Sequence, residues 1–466
     1  MTRLVALAIP LTLCALLPAD DPKAAPKKGI DGYWHGTLTI GAIELRLGFK
    51  ITKKDDGTLS ATLDSIDQGV KDIAVESTTF ADNKLTLKMP SIKAEYTGTL
   101  QADGDTIKGE FEQAGKLPLQ LKRADKPIEL NRPQNPKKPY PYFEEEVTFP
   151  SKARGVTLAG TYTRPKGDGP FPAAALITGS GPQDRDESLL GHKPFLVLAD
   201  HLTRKGIAVL RYDDRGVGKS TGKFATSTSK DFAEDAAGAV AYLRDRKEVS
   251  RVGLIGHSEG GLIAPLVAAG SKDVGFIVLL AGPGMPGDEI LLAQGQLILK
   301  AMGASEKALA RQKALQRLFA LAKEGADESK LKAAVAEMEK DLTDDEKKEL
   351  QKQREAADAQ VTRLASPWFK YFLTHDPRPV LERVTCPVLA LNGEKDLQVP
   401  PKENLAEIER ALKLGGNTEV TVKELPGLNH LFQPTKTGLP SEYGKIETTF
   451  APEALEAISA WILKRR

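Results

Sequence analysis

One serine of this chain lies in a pattern that can turn its hydroxyl into a nucleophile. Ser258 is the centre of the pentapeptide Gly-His-Ser-Glu-Gly at 256–260. The apolar stretch 251–255 predicts a short strand before it, and 261–269 predicts a helix after it, in whose first turns Pro265 is tolerated. A sharp strand-to-helix turn strains the serine backbone, and glycine on each side gives room for the crossing chains. The sequence therefore predicts an exposed serine hydroxyl that can attack a carbonyl carbon.

The same turn offers a donor for the negative charge that such an attack creates. Glu259 would begin the helix, so its backbone N–H has no acceptor within the helix and lies at the positive end of the helix dipole. A backbone N–H in that place can stabilise an oxyanion. We therefore expect Glu259 to supply one oxyanion donor.

A serine hydroxyl also needs a neighbouring base, and histidine is the usual one. The chain has six histidines, at positions 35, 192, 201, 257, 375 and 430. His35 lies in an N-terminal β-rich region. His257 is adjacent to Ser258, so its side chain is expected to point elsewhere and to pack under the turn. The other four remain candidate bases on position alone.

The elements that would hold these residues follow an alternating pattern after residue 142. Apolar runs of strand length alternate with helical stretches, which predicts βαβ units and a mostly parallel sheet. We predict strands at 173–178, 208–212, 252–256, 276–280, 388–392 and 419–425. A Leu-, Ala-, Lys- and Glu-rich insertion at about 287–384 follows the fourth strand. Because it leaves the carboxyl end of a parallel strand, it predicts a helical cap over a site there.

The chain before this sheet has a different character. Residues 30–125 are short alternating segments split by Gly, Asp and Asn, which predicts a small antiparallel β-domain built as a sandwich or a barrel. Residues 126–142 are rich in proline and predict an extended linker. Residues 143–466 would form the catalytic domain.

Together these features resemble the α/β-hydrolase superfamily over about 143–466. Within it, the chain looks like bacterial carboxylesterases that join a small β-rich N-terminal domain to a capped hydrolase domain. The resemblance implies the chain order nucleophile, acid, base, which leaves His375 and His430 as bases. Between Ser258 and His375, no acidic residue stands at the end of a predicted strand to serve as the acid of the triad. His430, in contrast, follows the last predicted strand. His430 is therefore the expected base.

The acid is expected in the loop after the preceding strand. The loop 392–400 contains Glu394 and Asp396. Glu394 falls in the tighter Asn-Gly turn, so Asp396 is preferred. Its carboxylate would hold the imidazole in its productive tautomer and stabilise the imidazolium.

The resemblance also implies a second oxyanion donor. The loop 178–186 follows an early strand, where this superfamily usually carries a His-Gly pair, and by analogy Ser180 supplies the N–H. Thr178 departs from the histidine of that pattern, which leaves Gly181 as the neighbouring candidate. Arg185 and its flanking acids are expected to brace the loop by ion pairs.

Composition excludes several other classes of function. The chain has 65 basic and 63 acidic side chains, a balance that does not favour binding to nucleic acid or to an anionic membrane. No His-Glu-x-x-His motif or paired Cys/His spacing predicts a metal, and no cofactor is expected. The Gly-Lys-Ser at 218–220 resembles a phosphate-binding loop. However, Asp213 stands where that loop needs glycine, so nucleotide hydrolysis is rejected.

The N-terminus carries the features of an export signal. Arg3 precedes an apolar run at 4–17 that is too short to span a bilayer comfortably, and residues 1–19 are interpreted as a cleaved signal peptide to the periplasm or the medium. A lipid anchor on Cys14 is disfavoured, because Leu13 is not the small residue that such an anchor prefers. Cys386 would then be the one cysteine left, without a disulfide partner, and is interpreted as a small core residue.

Three functions are compatible with these features. The leading one is hydrolysis of a small-molecule ester through an acyl-enzyme on Ser258. A serine peptidase of the oligopeptidase type is the second, disfavoured because the N-terminal β-domain is too short for a propeller. The third is a non-enzymatic ligand-binding protein on a hydrolase fold. A retired site is expected to have lost a member, and none is missing.

Overall fold

The computed structural model describes residues 29–465 except 41–42, 114, 307–308, 310–311, 313–314, 341, 345–346, 348–350 and 352–353. The predicted signal peptide at 1–19 and Cys14 lie outside the described residues. The described chain forms two β-sheets, one before and one after the proline-rich segment 126–142.

The first sheet contains nine antiparallel strands in the order β4-β3-β2-β1-β9-β8-β7-β6-β5. The strands are β1 Gly32–Ile40, β2 Ile43–Lys53, β3 Leu59–Ser65, β4 Val70–Val75, β5 Ser77–Ala81, β6 Lys84–Met89, β7 Ala94–Leu100, β8 Thr106–Glu112 and β9 Lys116–Ala124. Only Glu76 separates β4 from β5, which are the two edges of the sheet. The sheet is therefore rolled around one core that contains Trp34, Phe49 and Tyr96. Of the two predicted forms, this is barrel-like and not a sandwich.

The second sheet contains eight strands in the order β10-β11-β13-β12-β14-β15-β16-β17. They are β10 Phe143–Pro150, β11 Thr157–Arg164, β12 Phe171–Ile177, β13 Ala208–Tyr212, β14 Val249–His257, β15 Phe276–Leu280, β16 Val388–Gly393 and β17 Val420–Leu425. The last six are parallel and correspond to the six predicted strands. The antiparallel strands β10 and β11 were not predicted, because the run Glu144–Glu146 gives the edge strand β10 no apolar pattern. The predicted fold class is confirmed.

Each central strand sends alternate side chains into two different cores, which is why these strands are apolar throughout. In β15, Ile277 and Leu279 face one core, whereas Phe276, Val278 and Leu280 face the other. The carboxyl ends of the parallel strands then meet at one edge of the sheet, where the candidate residues lie.

The helices cover both faces of this sheet and one end of it. They are α1 Pro194–Arg204, α2 Ser229–Arg244, α3 Glu259–Ala268, α4 Gly287–Ala301, α5 Leu315–Lys323, α6 Glu328–Glu339, α7 Arg354–Leu364, α8 Pro367–Thr374, α9 Arg378–Leu381, α10 Pro401–Leu414 and α11 Pro452–Leu463. Helices α4 to α9 lie between β15 and β16, in the segment that the sequence predicts to be a cap. Parts of this segment share a small apolar core of their own, with Leu318, Leu331 and Leu373 at its centre. None of the helices in the described part of the chain is long and apolar enough to cross a membrane.

The proline-rich segment, predicted to be an extended linker, contacts the catalytic domain. All of residues 126–142 are described, and they contain neither helix nor strand. The Arg132 guanidinium donates hydrogen bonds to the carbonyls of Leu190 at 2.8 Å, Gly444 at 2.9 Å and Ile446 at 3.0 Å. Proline prevents regular structure here, but the side chains of the segment fix it to two loops of the catalytic domain.

Candidate active site

Ser258 lies on the sharp turn that the sequence predicts. Strand β14 ends at His257 and helix α3 begins at Glu259, so Ser258 alone forms the turn. Its backbone has φ 52° and ψ −116°, a conformation that non-glycine residues rarely adopt and that is kept where the surroundings impose it. The surroundings do impose it, because the Ser258 N–H donates to the Leu280 carbonyl at 2.8 Å.

The two glycines of the pentapeptide are required by close backbone contacts. A Cβ on Gly256 would lie 2.0 Å from the Gly260 carbonyl oxygen, and one on Gly260 would lie 2.2 Å from the Ile177 carbonyl oxygen. A side chain on Gly256 would collide with the start of α3, and one on Gly260 would collide with the end of β12. The pentapeptide therefore reflects the packing of this turn.

The structure brings the predicted acid and base together on neighbouring loops. Asp396 follows β16, His430 follows β17, and Asp396 Oδ2 lies 2.8 Å from His430 Nδ1. The other carboxylate oxygen, Oδ1, accepts the N–H groups of Gln398 at 2.8 Å and Val399 at 2.9 Å. These bonds orient a carboxylate that is only 1% exposed. Glu394, the rejected acid, instead accepts the N–H of Gly427.

The second ring nitrogen of His430 is available for proton transfer. Within the described residues, His430 Nε2 has no hydrogen-bond partner, and the ring lines the same cavity as Ser258. An imidazole fixed at Nδ1 by a carboxylate has the tautomer in which Nε2 accepts a proton. Ser258 and His430 thus face the same cavity, with Asp396 bound to the far side of the ring.

The loop after β12 lies against the nucleophile. A Cβ on Gly179 would be 3.3 Å from Ser258 Cβ. Ser180 lines the large cavity with Ser258, whereas Gly181 lines a separate small cavity beneath the loop. Of the two predicted donors, Ser180 is therefore the one that faces the same space as Ser258. Thr178, which replaces the histidine of the superfamily pattern, donates to Asp214 at 2.8 Å.

Ion pairs brace this loop as the sequence predicts. Arg185 binds Asp213 at 2.8 Å and Glu146 at 2.7 Å. Asp186 pairs with Arg211 and with Lys193. These charged side chains fix the loop to β10 and β13.

The side chain of Glu259 is buried behind the turn. Its Oε1 accepts hydrogen bonds from Ser229 Oγ at 2.6 Å and from Trp368 Nε1 at 2.8 Å. Burial raises the pKa of Glu259, and its hydrogen bonds offset that only in part. Because Trp368 belongs to α8, this carboxyl group connects the cap to the nucleophile turn.

The cavity above Ser258 is large and mostly apolar, with a volume of about 820 Å³. Leucine, valine, methionine and aromatic side chains of the cap form much of its wall. They include Leu291, Leu315, Leu318, Phe319, Val335, Met338, Val361, Leu364, Trp368, Phe369 and Phe372. Gln183, Gln398 and Tyr443 add polar groups. Such a cavity suits an apolar ligand oriented by a few polar contacts.

Sequence reasoning missed one pair of residues in this site. His257 is buried under the turn, as expected, but its Nδ1 lies 2.8 Å from Oε1 of Glu187, which no motif had singled out. Two further histidines lie elsewhere: His192 is buried and contacts Thr449, and His375 is half-buried and stacks on Tyr371. Glu187 lies ten residues after β12 in an irregular loop, so no spacing rule could connect it to His257.

Two remaining predictions concern cysteine and metal. Burial raises the pKa of Cys386 to about 11, which keeps it a thiol and agrees with its interpretation as a core residue. Across the described ranges, no group of three or more His, Cys, Asp or Glu side chains is arranged to hold a metal ion.

Comparison with known proteins places this chain among the hydrolases. A family model described as serine aminopeptidase, S33 (Hydrolase_4) matches residues 193–433. Esterase EstD of Thermotoga maritima is 28% identical over 440 residues, which cover 92% of this chain and 97% of that protein. An esterase structure from Pyrococcus furiosus is 18% identical with a TM-score of 0.44, covering 70% of this chain and 91% of the other. The α/β hydrolase GrgF from Penicillium sp. is 18% identical with a TM-score of 0.43, covering 69% and 98%.

Proposed function

This chain belongs to the serine aminopeptidase S33 family of hydrolases, and from that premise we propose that it hydrolyses carboxylic esters through an acyl-enzyme on Ser258. The observation that carries the proposal is the convergence of three loops on one cavity. One loop bears the strained Ser258, one bears Asp396, and one bears His430 with a free Nε2. The name of the relative EstD supports an ester as the substrate.

Each residue has a definite role in the proposed reaction. Ser258 Oγ attacks the ester carbonyl while His430 Nε2 takes its proton, and the proton then goes to the departing alcohol oxygen. Water, deprotonated by the same His430, cleaves the acyl-enzyme and regenerates the serine. Asp396 stabilises the imidazolium. The backbone N–H groups of Glu259 and Ser180 bind the oxyanion, and one such donor contributes about 10²- to 10³-fold to the rate.

The cavity supports an ester with a bulky apolar part. Its lining is dominated by aliphatic and aromatic side chains of the cap, and 820 Å³ lies within the range of pockets that enclose whole small molecules. A small polar ester would leave most of that apolar wall unfilled. The preferred substrate class is therefore an ester whose acyl or alcohol group is apolar.

Aminopeptidase activity is the second candidate, because the family description names it. Selectivity for a free α-amino group needs an accessible anionic acceptor. The acidic side chains in the described lining are Glu187 and Glu259. Glu187 is engaged with His257 and the Gly179 N–H, and Glu259 with Ser229 and Trp368. Ester hydrolysis is the better supported of the two.

The decisive experiment compares Ser258→Ala with the wild-type chain on p-nitrophenyl esters and on matched aminoacyl amides. We expect the variant to lose essentially all esterase activity and all labelling by a fluorophosphonate probe. Ser188→Ala, which removes an exposed hydroxyl near the same site, is the matched control and is expected to keep both. Esterase activity of Ser258→Ala near the wild-type rate would contradict the proposal. Higher kcat/KM for amides than for esters would reverse the order of the two candidates.

A further inference from the structure

A second carboxylate–imidazole pair lies directly beside the proposed triad. Glu187 and His257 are 6% and 7% exposed, and Glu187 Oε1 lies 2.8 Å from His257 Nδ1. The His257 ring is 5.0 Å from the His430 ring, centroid to centroid. The proposed reaction assigns no step to either residue of this pair.

The pair connects three parts of the site through hydrogen bonds. His257 Nε2 lies 3.0 Å from the backbone carbonyl oxygen of His430. Glu187 Oε1 also accepts the N–H of Gly179 at 2.7 Å. Since His257 directly precedes Ser258, these bonds join the nucleophile turn, the main chain of the base and the loop that carries Ser180.

The hydrogen-bond partners determine the protonation of the ring. The His430 carbonyl can only accept, so His257 Nε2 must carry a hydrogen. Glu187 Oε1 already accepts from Gly179, so it serves as an acceptor for Nδ1–H as well. These contacts suit a ring with hydrogen on both nitrogens, an imidazolium paired with the Glu187 carboxyl group.

The charges around the ring agree with that assignment. Burial alone would lower the pKa of His257, but the charge and hydrogen bond of Glu187 and the bond to the His430 carbonyl outweigh it and raise the pKa. The charge of Asp396, which is bound to His430, also raises the pKa of His257. Of the charged groups that act on His257, Glu187 is the one in direct contact.

The backbone of Glu187 shows that its position is imposed. Its φ is 52°, in the left-handed region that a glutamate seldom adopts. Such a conformation persists where surrounding contacts determine it, and it is common at functional sites. A carboxylate that served only to neutralise a surface charge would not need a left-handed backbone.

We propose that Glu187 and His257 are positioning residues for the proposed esterase reaction, which hold the His430 main chain and the Ser180 loop in register with Ser258. Neither residue touches the reacting atoms. Occupation of the Gly179 N–H by Glu187 leaves the next N–H, that of Ser180, to face the substrate. Breaking the pair would let both the base and the oxyanion donor move, and displacements of about 1 Å can cost about 100-fold in rate.

The test uses Glu187→Gln, His257→Asn and the double variant, with kcat given per site titrated by a fluorophosphonate. We expect each single variant to lose about 10- to 100-fold in kcat with KM changed less than about threefold. Because the two side chains act as one unit, the double variant should be no more than about threefold worse than the worse single variant. Glu394→Gln, which alters a carboxylate that also accepts a backbone N–H, should keep wild-type kcat.

Ser258→Ala in the same series separates the two proposals. If Ser258→Ala is inactive while Glu187→Gln keeps kcat within about twofold of wild type, the positioning role is wrong and the proposed function stands. If Ser258→Ala is active, the proposed function itself fails.

A second measurement does not depend on the folding of the variants. Histidine ¹⁵N NMR of the wild-type chain at about pH 7 should show one ring, His257, protonated at both nitrogens, where an ordinary histidine is mostly neutral. A neutral His257 at that pH would overturn the pairing.

Discussion

Trp368 Nε1 donates a 2.8 Å hydrogen bond to Oε1 of Glu259, the residue that follows the nucleophile. The indole also stacks on Phe372, with ring centroids 5.4 Å apart and nearly parallel planes. One aromatic side chain therefore fixes helix α8 of the cap to the turn that holds Ser258. The position of the cap and the geometry of the site are physically linked through this contact.

Trp368→Phe is expected to loosen the cap without unfolding it. The variant keeps an aromatic ring for the stack but leaves a buried carboxyl group with one donor fewer, at a cost of about 1 kcal/mol in the free energy of unfolding. We expect KM for bulky apolar esters to rise more than KM for acetate esters. Steady-state kinetics on both substrates and urea unfolding measure this.

Trp461→Phe is the matched control for that variant. Trp461 Nε1 lies 3.2 Å from Thr421 Oγ1 on β17, away from the cavity lining. Trp461→Phe should lower the free energy of unfolding by a similar amount and leave both KM values unchanged. Equal KM values in wild type and Trp368→Phe would argue against the linkage.

The apolar cavity predicts a strong dependence on acyl length. Each methylene moved from water into an apolar wall contributes about 0.8 kcal/mol, or about fourfold in kcat/KM when fully buried. We expect kcat/KM to rise from acetate through butyrate to octanoate. Leu291→Trp, on the cavity wall, should shorten the preferred chain, whereas the neighbouring Leu292→Trp, outside the lining, should not. A flat profile would show that the cap wall does not contact the acyl chain.

The proline-rich segment is expected to affect the active site through Arg132. Its guanidinium binds three carbonyls on the loops that carry Leu189 and Tyr443, both of which line the cavity. Arg132→Ala should cost about 2 to 3 kcal/mol in the free energy of unfolding and should raise KM, because the two loops lose a shared anchor. Urea unfolding and ester kinetics test both effects.

A control for Arg132 exists in the N-terminal sheet. Arg123 likewise donates to backbone carbonyls, those of Asp31, Gly29 and Gly104, but all within the N-terminal β-domain. Arg123→Ala should lower stability without changing KM. If both variants changed KM equally, the effect could not be assigned to the anchoring of the two loops.

The sharp turn at Ser258 and the contact between Asp396 and His430 could be predicted because both follow from local pattern. Ser258, Asp396 and His430 each follow a short apolar strand, and parallel strands bring their carboxyl ends to one edge. The central strands β12, β13, β15 and β16 could be predicted because strands buried on both faces are apolar.

The rest depends on contacts that sequence spacing does not encode. Glu187 reaches His257 from an irregular loop, and Trp368 reaches Glu259 from an insertion of helices. Arg132 binds carbonyls of two loops that lie 58 and more than 300 residues away in sequence. Strand β10 was missed because its outward edge is acidic.

Export of the protein is proposed from its sequence and has a direct test. An apolar run behind Arg3 that ends at about Ala19 predicts cleavage by a signal peptidase. Mass spectrometry of the chain expressed with its own N-terminus should find a mature form that begins at or near Asp20 outside the cytoplasm. An intact chain confined to the cytoplasm would contradict it.

His192 gives the stability of the fold a pH dependence of known sign. Its buried ring lies 2.8 Å from Thr449 Oγ1, and burial, with the nearby charge of Arg132, lowers its pKa to about 4. The unfolded chain therefore binds a proton below about pH 6.5 that the folded chain accepts only near pH 4. Stability is kept above pH 6.5 and falls by up to about 3 kcal/mol between pH 6.5 and 4.

His192→Gln tests this contribution, because glutamine does not titrate yet can still bond to Thr449. The variant should be less stable than wild type at pH 7, since the amide fits the site less well than the ring. Its free energy of unfolding should nevertheless fall less steeply from pH 6.5 to 4, as measured by urea unfolding at several pH values. Identical slopes for the two chains would mean that other groups, and not His192, carry the acid sensitivity of this fold.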